Sequence, residues 1–450
     1  MLSSEDNDLL CRVSSGTPMG DLMREYWIPA FMASELPIHD SDPLRIRLLG
    51  ENLIAFRDTS GRVGLLANAC PHRGTSLYFA RNEDGGIRCV YHGWKFDVSG
   101  ACVDMPSEPS ESNFRDKVRA VAYPCLERNG VVWTYMGSRT APNLPPLPDL
   151  EPNMINQDQA NVWTAMRECN YMQALEGDID TSHLAYLHLG AIRPDEATPK
   201  SFNYYTVADR APRYHVIDTD IGTMYGAYRP AEDDTYYYRF AQFLFPFFTM
   251  IPTNTLGVQV VVRAWVPLDD HHTMFWVMAA PATQRSTPGG VRTNAGGVTF
   301  VGSSPQARYE PNTSDWLGRW RLKDNWDNDY GMDRSVQRAG RDGGIIGSYT
   351  GIDGIYLQDQ AVTESMGTIY QREREHLGTS DAMVIKTRRR LLRAARLRRD
   401  NGIVPPGVDD AKAYRVRSGG IILPRDVDWL DATADLRNAF VSHEIVNQTD

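Results

Sequence analysis

The sequence predicts an α+β fold of two domains, a small all-β domain followed by a domain with one antiparallel sheet and several helices. Short alternating stretches separated by turn residues fill the first part, whereas helical and strand-like stretches share the second. A Pro-rich stretch without periodicity separates them. The predicted bounds are an N-terminal segment over 1–26, the all-β domain over 27–140, a linker over 141–155 and the second domain over 156–450.

Hairpins dominate the first predicted domain. Residues 16–32 predict a short helix that leads into a strand. The stretches over 45–66, 94–106 and 118–137 alternate and are each interrupted by turn residues, which is typical of antiparallel hairpins. The last of them turns at an Asn-Gly dipeptide, which favours a two-residue hairpin loop.

The second predicted domain mixes helices and strands. Residues 163–190 favour helix, and residues 202–281 favour strands of one curved antiparallel sheet. Residues 284–310 are rich in Gly, Ser and Thr and predict an irregular excursion. Residues 314–342 and 357–401 predict further helices.

A strongly basic segment, residues 386–399, carries Leu and Ala at helical spacing and is followed by Asn401-Gly402, a typical helix end. We interpret it as a surface helix with a basic outer face on an acidic protein. A nucleic-acid or membrane helix, and a docking face for an acidic redox partner, are the alternatives.

Composition restricts the class of protein. The chain has 450 residues and a net charge of −10, and an acidic protein lacks the basic surface that nucleic-acid binding requires. No signal peptide is predicted at the N-terminus, and no apolar stretch is long enough to span a membrane. Six cysteines are too few for a disulfide scaffold. We therefore expect a cytoplasmic protein with no nucleic-acid or membrane partner.

Four side chains that bind soft metals lie in two short pairs. Cys70 and His72 form a Cys-x-His pair, and Cys89 and His92 form a Cys-x-x-His pair. Zinc is the usual metal at Cys/His sites, and a zinc-binding protein or hydrolase is one alternative, but a common zinc finger presents its cysteines before its histidines. The alternating order fits a [2Fe–2S] cluster with two cysteines on one iron and two histidines on the other, because each loop then gives one ligand to each iron.

A second candidate site lies in the helix-prone region. Asp180, His183 and His188 follow the pattern D-x-x-H-x-x-x-x-H. Histidine and carboxylate ligands with open positions form the 2-His-1-carboxylate site of non-haem Fe(II) oxygenases. The two histidines would lie about 140° apart around a regular helix. They can reach one ion only if that helix is distorted, and we predict a distortion between Leu184 and Leu187.

The stretch CPH…CVYHGW, residues 70–94, resembles the Rieske motif. Respiratory Rieske proteins carry one further cysteine in each loop, and the two join as a disulfide. Thr75 and Tyr91 stand at those positions here, so the sequence resembles the oxygenase branch of the Rieske proteins. Tyr91, Trp94 and Phe96 are expected to shield the cluster from water.

Further stretches resemble the same family over nearly the whole chain. They are GTPMGDLMREYWIPA, LLGENLIAFRD, YHGWKFDVSGACVDMPSEP and QDQAVTESMG. The chain is identified as a member of the Rieske non-haem iron aromatic ring-hydroxylating oxygenases, similar to the oxygenase component of phthalate dioxygenase. The resemblance implies an all-β Rieske domain, a helix-grip catalytic domain, a [2Fe–2S] cluster and a mononuclear Fe(II). It also implies a homotrimer or a hexamer of stacked trimers, and a separate NADH-dependent reductase with flavin and iron–sulfur centres.

The resemblance assigns roles that the residue pattern leaves open. It implies that Asp359 is the carboxylate ligand beside His183 and His188. On sequence alone the alternatives to Asp359 are Asp353, Glu364 and Asp381.

It also implies a catalytic role for Asp180, as a bridge between His183 and His92 of the next subunit. Glu176, one helical turn earlier, is expected either near the iron or as an exposed helix acid.

The implied reaction uses O2 and NADH-derived electrons to convert an aromatic carboxylate, phthalate-like, into a cis-diol. A monooxygenase or O-demethylase of an aromatic acid is the alternative within the family, and an electron-carrying Rieske ferredoxin is a third possibility. A substrate carboxylate would need an arginine. Arg239 and Arg210 are the candidates we carry forward, and an outward-facing arginine is the alternative for Arg239. The other arginines of the sheet region are Arg213, Arg229 and Arg263.

Overall fold

The computed structural model describes residues 2–109, 111–188, 202–253, 255–257, 260–280, 308–339 and 349–439. Strands β1 to β11 of this part of the chain belong to the first domain. Their bounds are β1 Trp27–Met32, β2 Leu44–Leu48, β3 Glu51–Arg57, β4 Val63–Ala67, β5 Arg81–Glu83, β6 Gly86–Arg88, β7 Lys95–Phe96, β8 Cys102–Asp104, β9 Ala122–Tyr123, β10 Cys125–Arg128 and β11 Val131–Tyr135.

These strands form three antiparallel sheets with the orders β1-β11-β10, β2-β3-β4-β9 and β5-β6-β7-β8. The predicted Asn-Gly hairpin is confirmed, because Arg128 pairs with Val131 across the turn. Asn129 and Gly130 have φ angles of 49° and 81°, the left-handed pair that a type I′ turn requires. The all-β character expected for the first domain is therefore confirmed.

The second domain is built on one antiparallel sheet with the order β12-β18-β17-β16-β15-β14-β13, and β19 pairs with β15 beyond the end of β16. The strand bounds are β12 Asn161–Arg167, β13 Arg213–Thr219, β14 Gly222–Pro230, β15 Thr235–Leu244, β16 Phe248–Met250, β17 Val260–Pro267, β18 Thr273–Ala280 and β19 Gly419–Pro424. The α-helices of the described chain are α1 Ser4–Cys11, α2 Pro18–Met23, α3 Glu151–Met154, α4 Tyr171–Asp178, α5 Phe202–Ala208, α6 Arg334–Ala339, α7 Ile355–Glu364, α8 Ala382–Asn401 and α9 Trp429–Ala432.

Three of these helices position the candidate metal site. Helix α4 packs against β17 and against α7, while α8 packs against β13 and β14. The strands β17 and β18 are buried at every position, and all their residues except Arg263 and Thr273 are apolar. Helix α4 therefore lies on the sheet, and α7 packs against α4.

Some predicted elements are wrong in type or extent. Residues 161–167 form β12, although 163–190 favoured helix, because every residue of β12 pairs with β18. Residues 202–208 form helix α5, although strand was predicted there. Helix α7 ends at Glu364 and α8 begins at Ala382, so 357–401 is not one continuous helix. The predicted excursion over 284–310 lies outside the described residues up to 307.

The basic segment is helical, as predicted, and helix α8 ends at Gly402, whose φ is 66°. Its arginines contact acidic groups of the same chain. Arg388 binds Glu176 and Glu375, Arg396 binds Asp6, and Arg398 binds Glu25. Arg389, Arg393 and Arg399 are exposed, so the helix keeps the expected basic outer face, while its inner arginines are paired within the fold.

The first residues of the chain belong structurally to the second domain. Asn170 donates to the carbonyl oxygen of Cys11 at 2.9 Å, and the Tyr171 hydroxyl donates to the carbonyl oxygen of Leu10 at 2.8 Å. Arg372 donates to the Asn7 side chain at 2.9 Å. Helix α1 thus completes the surroundings of α4.

A return contact joins the second domain to the first. Arg319 makes a two-pronged ion pair with Glu35, with N–O distances of 2.7 and 2.6 Å, and both side chains are buried.

Among the described helices we find none that is long and apolar enough to cross a bilayer.

Candidate metal centres

The two Cys/His loops have matching backbones. The amide of Cys70 donates to the carbonyl oxygen of Thr75 at 2.8 Å, and that of Cys89 donates to the carbonyl oxygen of Trp94 at 2.9 Å. In each loop a glycine with φ near +75°, Gly74 or Gly93, donates back to the cysteine carbonyl oxygen at 2.9 Å. The loops therefore present the four predicted ligands from two equivalent turns.

The loops bring the two cysteines beside each other and the two histidines into ring contact. Cys70 and Cys89 are buried, and the rings of His72 and His92 lie 4.3 Å apart between centroids. Burial raises the pKa of Cys70 to about 11, although the amides of His72 and Arg73 point at its sulfur. A metal that binds there must displace the thiol proton.

A [2Fe–2S] cluster fits these residues. Nδ1 of His92 is buried and has no hydrogen-bond partner in the described chain. A buried ring nitrogen without a partner is costly unless something else fills its lone pair. An iron at this position would do so, and two cysteines with two histidines are the donor set of a Rieske-type cluster.

The expected shielding of the cluster is only partly observed. Trp94 is buried and stacks on His72 at 4.3 Å between centroids, and Phe96 is fully buried. Tyr91, in contrast, is 55% exposed and lies beside Arg73. Its ring centroid nevertheless lies 3.9 Å from that of His92, so Tyr91 covers part of that predicted ligand although Tyr91 itself is largely open to solvent.

The second centre joins two distant parts of the chain. Helix α4 ends at Asp178, and a single 3-10 turn spans His183–Ala185 before His188. Asp359 lies in the middle of helix α7. Its Oδ1 atom is 3.2 Å from Nε2 of His188 and 3.8 Å from Nε2 of His183.

The ligand atoms of His183, His188 and Asp359 all lie within 4.8 Å of one another. The structure thus brings the three predicted side chains to one point. As predicted, the chain departs from a regular helix so that both histidines reach one point. It does not do so by a distortion within one helix. The α-helix has already ended before His183, and the 3-10 turn followed by Tyr186, with φ −124° and ψ −61°, redirects the chain.

Each histidine is oriented by a different partner. Oδ2 of Asp180 lies 3.2 Å from Nδ1 of His183 and also accepts from its amide. Nδ1 of His188 lies 2.7 Å from Oε1 of Gln358, whose Nε2 donates to the carbonyl oxygen of Ile352. Both Nε2 atoms are thereby left to face Asp359, which is the tautomer a metal needs.

The electrostatics of this centre favour a cation. Burial raises the pKa of Asp359, but His188, His183 and Arg263 hold it at about 2. Burial also raises the pKa of Asp180, yet the bond to His183 keeps it below its usual value. Two ionised carboxylates around two imidazoles form a complete 2-His-1-carboxylate set with one further carboxylate behind it.

The alternative carboxylates lie elsewhere. Asp353 is exposed, Asp381 accepts from the amide of Gly378, and Glu364 accepts from Tyr330 and from the amide of Glu168. Glu176 is not an exposed helix acid, because Arg372 and Arg388 both bind its carboxylate.

A buried ion pair anchors the chain just before the centre. Asp178 accepts from Arg263, from Thr249 at 2.7 Å and from the Trp265 indole at 2.8 Å. These partners fix the end of α4 to β16 and β17. Sequence patterns did not indicate Asp178 or Gln358, because neither lies in a recognisable metal motif.

Two cavities meet at the centre. Gly177, Asp178, Asp180, His183 and Asp359 line both of them. One cavity runs toward the sheet and is closed by Tyr225, Ile251, Arg239 and Arg263. The other opens beside α7 and α8.

The predicted substrate arginines are placed differently from one another. Arg239 lines the sheet-side cavity, is buried, and donates to Thr181 at 2.6 Å and to the carbonyl oxygen of Pro252 at 3.0 Å. Arg210 is exposed, lies over the Tyr186 ring and lines neither cavity. Arg210 is therefore not brought to the centre, because it follows α5 at the surface.

Family models match both parts of the chain. Residues 26–124 match the Rieske [2Fe-2S] domain, and residues 134–450 match the LigXa C-terminal domain like family.

Three curated relatives share substantial sequence. The chain is 46% identical over 433 residues to a 3-chlorobenzoate-3,4-dioxygenase oxygenase subunit of Comamonas testosteroni, covering 95% of this chain and 97% of the relative. It is 37% identical to a phthalate 4,5-dioxygenase oxygenase subunit of Pseudomonas putida, covering 100% and 99%. It is 40% identical over 191 residues to a 5,5'-dehydrodivanillate O-demethylase oxygenase subunit of a Sphingobium species, covering 42% and 44%.

A solved structure supports the fold. Pseudomonas putida CBB5 NdmA superposes with a TM-score of 0.56 at 16% identity, covering 92% of this chain and 100% of that chain. At this identity the likeness concerns the fold alone.

The bond between Gln358 and His188 gives a first prediction. Gln358→Leu removes the acceptor for Nδ1, so His188 loses its fixed orientation, and affinity of the second centre for Fe(II) should fall about 10- to 100-fold. Bound iron is measured by titrating metal-depleted protein anaerobically, with the visible absorption of the cluster as an internal standard.

Gln358→Glu keeps an acceptor and should retain the metal. Gln360→Leu is the matched control on the same helix, since Gln360 is buried but contacts Arg167 instead. Equal iron affinity in Gln358→Leu and the wild type would contradict the orienting role.

Proposed function

Because the chain belongs to the Rieske-type aromatic ring-hydroxylating oxygenases, we propose that it is the oxygenase component of a dioxygenase for an aromatic carboxylate, benzoate- or phthalate-like. The product is a cis-diol that carries both atoms of one O2. The observation that carries this proposal is that Arg239, a buried cation, lines the same cavity as His183, His188 and Asp359.

Two metal groups would be held by this chain. Cys70 and Cys89 would bind one iron of the [2Fe–2S] cluster, and His72 and His92 would bind the other. His183, His188 and Asp359 would bind the mononuclear Fe(II). When bound, the cluster supplies single electrons and the Fe(II) supplies the site where O2 is activated.

The residues around the second centre position its ligands. Asp180 accepts from Nδ1 of His183, and Gln358 accepts from Nδ1 of His188, so both histidines offer Nε2 to the metal. Arg263 is occupied by Asp178 and closes the cavity as part of a neutral pair. Arg239 is a further cation that lines the wall of this cavity, where it can bind a substrate carboxylate.

The side chain of Asp180 is 24% exposed, so a further group can reach it. We assign to Asp180 the link between His183 and His92 of the partner subunit in a homotrimer or a hexamer of stacked trimers. A carboxylate between two imidazoles holds both in one tautomer and can take up the proton that accompanies an electron.

Electrons reach such an oxygenase component from separate redox proteins. A flavin and iron–sulfur reductase that uses NADH is the proposed source here, and a cytoplasmic location stays a prediction. The family assignment replaces the zinc protein considered above, and the catalytic part matched over residues 134–450 excludes a simple electron carrier.

A monooxygenase or O-demethylase of an aromatic acid is the second candidate, because one relative at 40% identity is an O-demethylase subunit. Both reactions would use the same centres. They differ in the number of oxygen atoms that enter the organic product.

Single-turnover product analysis decides between them. Fully reduced protein is mixed with 18O2 and 3-chlorobenzoate, phthalate or a methoxybenzoate, so no reductase is needed. We expect a diol of the first or second acid with two 18O atoms, identified by mass spectrometry. One 18O atom, or formaldehyde from the methoxybenzoate, would establish the second candidate instead, and no product from any acid would refute the substrate class.

Substitution of Asp180 tests the bridge. Asp180→Asn keeps the shape but loses the charge, so both metal groups should remain bound while turnover falls at least about 100-fold. Metal content and the cluster spectrum are measured beside turnover. Normal turnover in this variant would refute the bridging role.

Substitution of Arg239 tests the carboxylate contact. Arg239→Met removes a charge-assisted contact, so KM for the carboxylate should rise about 10- to 100-fold with a smaller change in kcat. Arg239→Lys retains the charge, so its KM for the carboxylate should lie between that of the wild type and that of Arg239→Met. An unchanged KM in Arg239→Met would place the carboxylate elsewhere.

A further inference from the structure

A second arginine lies beside Arg239 on the same face of the sheet. Arg229 is on β14 and is fully buried. Ala227 pairs with Arg239 and Arg229 pairs with Tyr237, so Arg229 and Arg239 are diagonal cross-strand neighbours on one face of the sheet. That face also carries Tyr225 of β14.

Arg229 is not neutralised by the described chain. Its Nε atom donates to the carbonyl oxygen of Asp209 at 2.7 Å. Its Nη1 and Nη2 atoms are buried and have no hydrogen-bond partner there. Burial, followed by the Arg239 cation, lowers the pKa of Arg229 to about 10.

Such an arrangement is unusual for buried arginines in this protein. Arg319 is equally buried, but both of its prongs reach Glu35. Arg263 is paired with Asp178, and Arg417 is paired with Glu151. An unpaired buried cation beside another cation destabilises a fold, and its natural partner is an anion.

We propose that Arg229 and Arg239 form a two-cation subsite for the anionic group of the substrate. Arg239 contacts the anion at the cavity wall, and Arg229 supplies a second positive charge from the neighbouring strand. Arg229 is thus a specificity residue that favours an aryl carboxylate over a neutral arene of the same shape. This inference rests on the proposed function, in which an aromatic carboxylate occupies the cavity of His183, His188 and Asp359.

If this subsite exists, Arg229→Met should raise the thermal stability of the protein and weaken its binding of an aryl carboxylate. Arg229→Met removes an uncompensated buried charge, so the ligand-free protein should unfold about 2 °C or more higher than the wild type. The same change should weaken binding of 3-chlorobenzoate about tenfold, since one cation is lost from the subsite. Binding of 3-chlorobenzamide, which is neutral, should not change.

The experiment uses the holoenzyme under nitrogen, with thermal unfolding and titration calorimetry as the two measurements. Arg319→Met is the matched control, because it removes a paired cation that lines neither cavity. It should lower the unfolding temperature and leave 3-chlorobenzoate affinity unchanged. Arg229→Lys keeps the charge and should bind 3-chlorobenzoate like the wild type, whereas Arg229→Gln should bind it like Arg229→Met.

Several outcomes would overturn the subsite. They are unchanged 3-chlorobenzoate affinity in both Arg229→Met and Arg229→Gln, equal losses for the carboxylate and the amide, or a fall in stability like that of Arg319→Met. If Arg229→Met does not fold, this result also counts as a fall in stability and overturns the subsite. If the wild type binds neither ligand nor any other aryl carboxylate, the proposed function itself fails, whereas wild-type binding without an Arg229 effect refutes only this inference.

Discussion

The packing of helix α4 against helix α7 is the constraint on which the second centre depends. Gln173 of α4 donates to the carbonyl oxygens of Thr363 and Gly367 at 2.8 and 2.7 Å, at the end of α7. Gln358, 170 residues along the chain from His188, reaches back to that ring. Because leaving buried polar groups without partners is costly, these bonds favour one register of the two helices, and that register brings the two histidines to Asp359.

The need to give buried polar groups a partner also explains how most of the buried arginines are held. This acidic chain buries several of them, and most are held by carboxylates from distant segments, such as Glu35 with Arg319 and Glu151 with Arg417. These pairs tie the domains and the chain ends together more than they add net stability, since desolvation offsets much of their attraction. Arg229 departs from the rule, and it does so next to the cavity. Uncompensated charge therefore coincides with the region where a ligand would bind.

The sequence was most informative where function is local. The Cys/His loops and the Asn-Gly hairpin are each encoded within a few residues, and both were predicted with their positions. Asp359 was reached only through family resemblance, because nothing in its own neighbourhood distinguishes it from Asp353 or Glu364. Gln358 could not be predicted, since its role depends on how α7 is rotated against the chain after α4. β12 was mistaken for helix because its pairing with β18 overrides its own preference.

The N-terminal helix has a consequence for how the molecule is made. Helix α1 contacts Asn170, Tyr171 and Arg372, and its Asp6 binds Arg396 of α8. During synthesis the first residues leave the ribosome long before these partners exist, although N-terminal units generally fold first. Helix α1 can therefore pack in place only after α4, Arg372 and α8 have been synthesised, so this part of the molecule is completed late, although α1 is made before its partners.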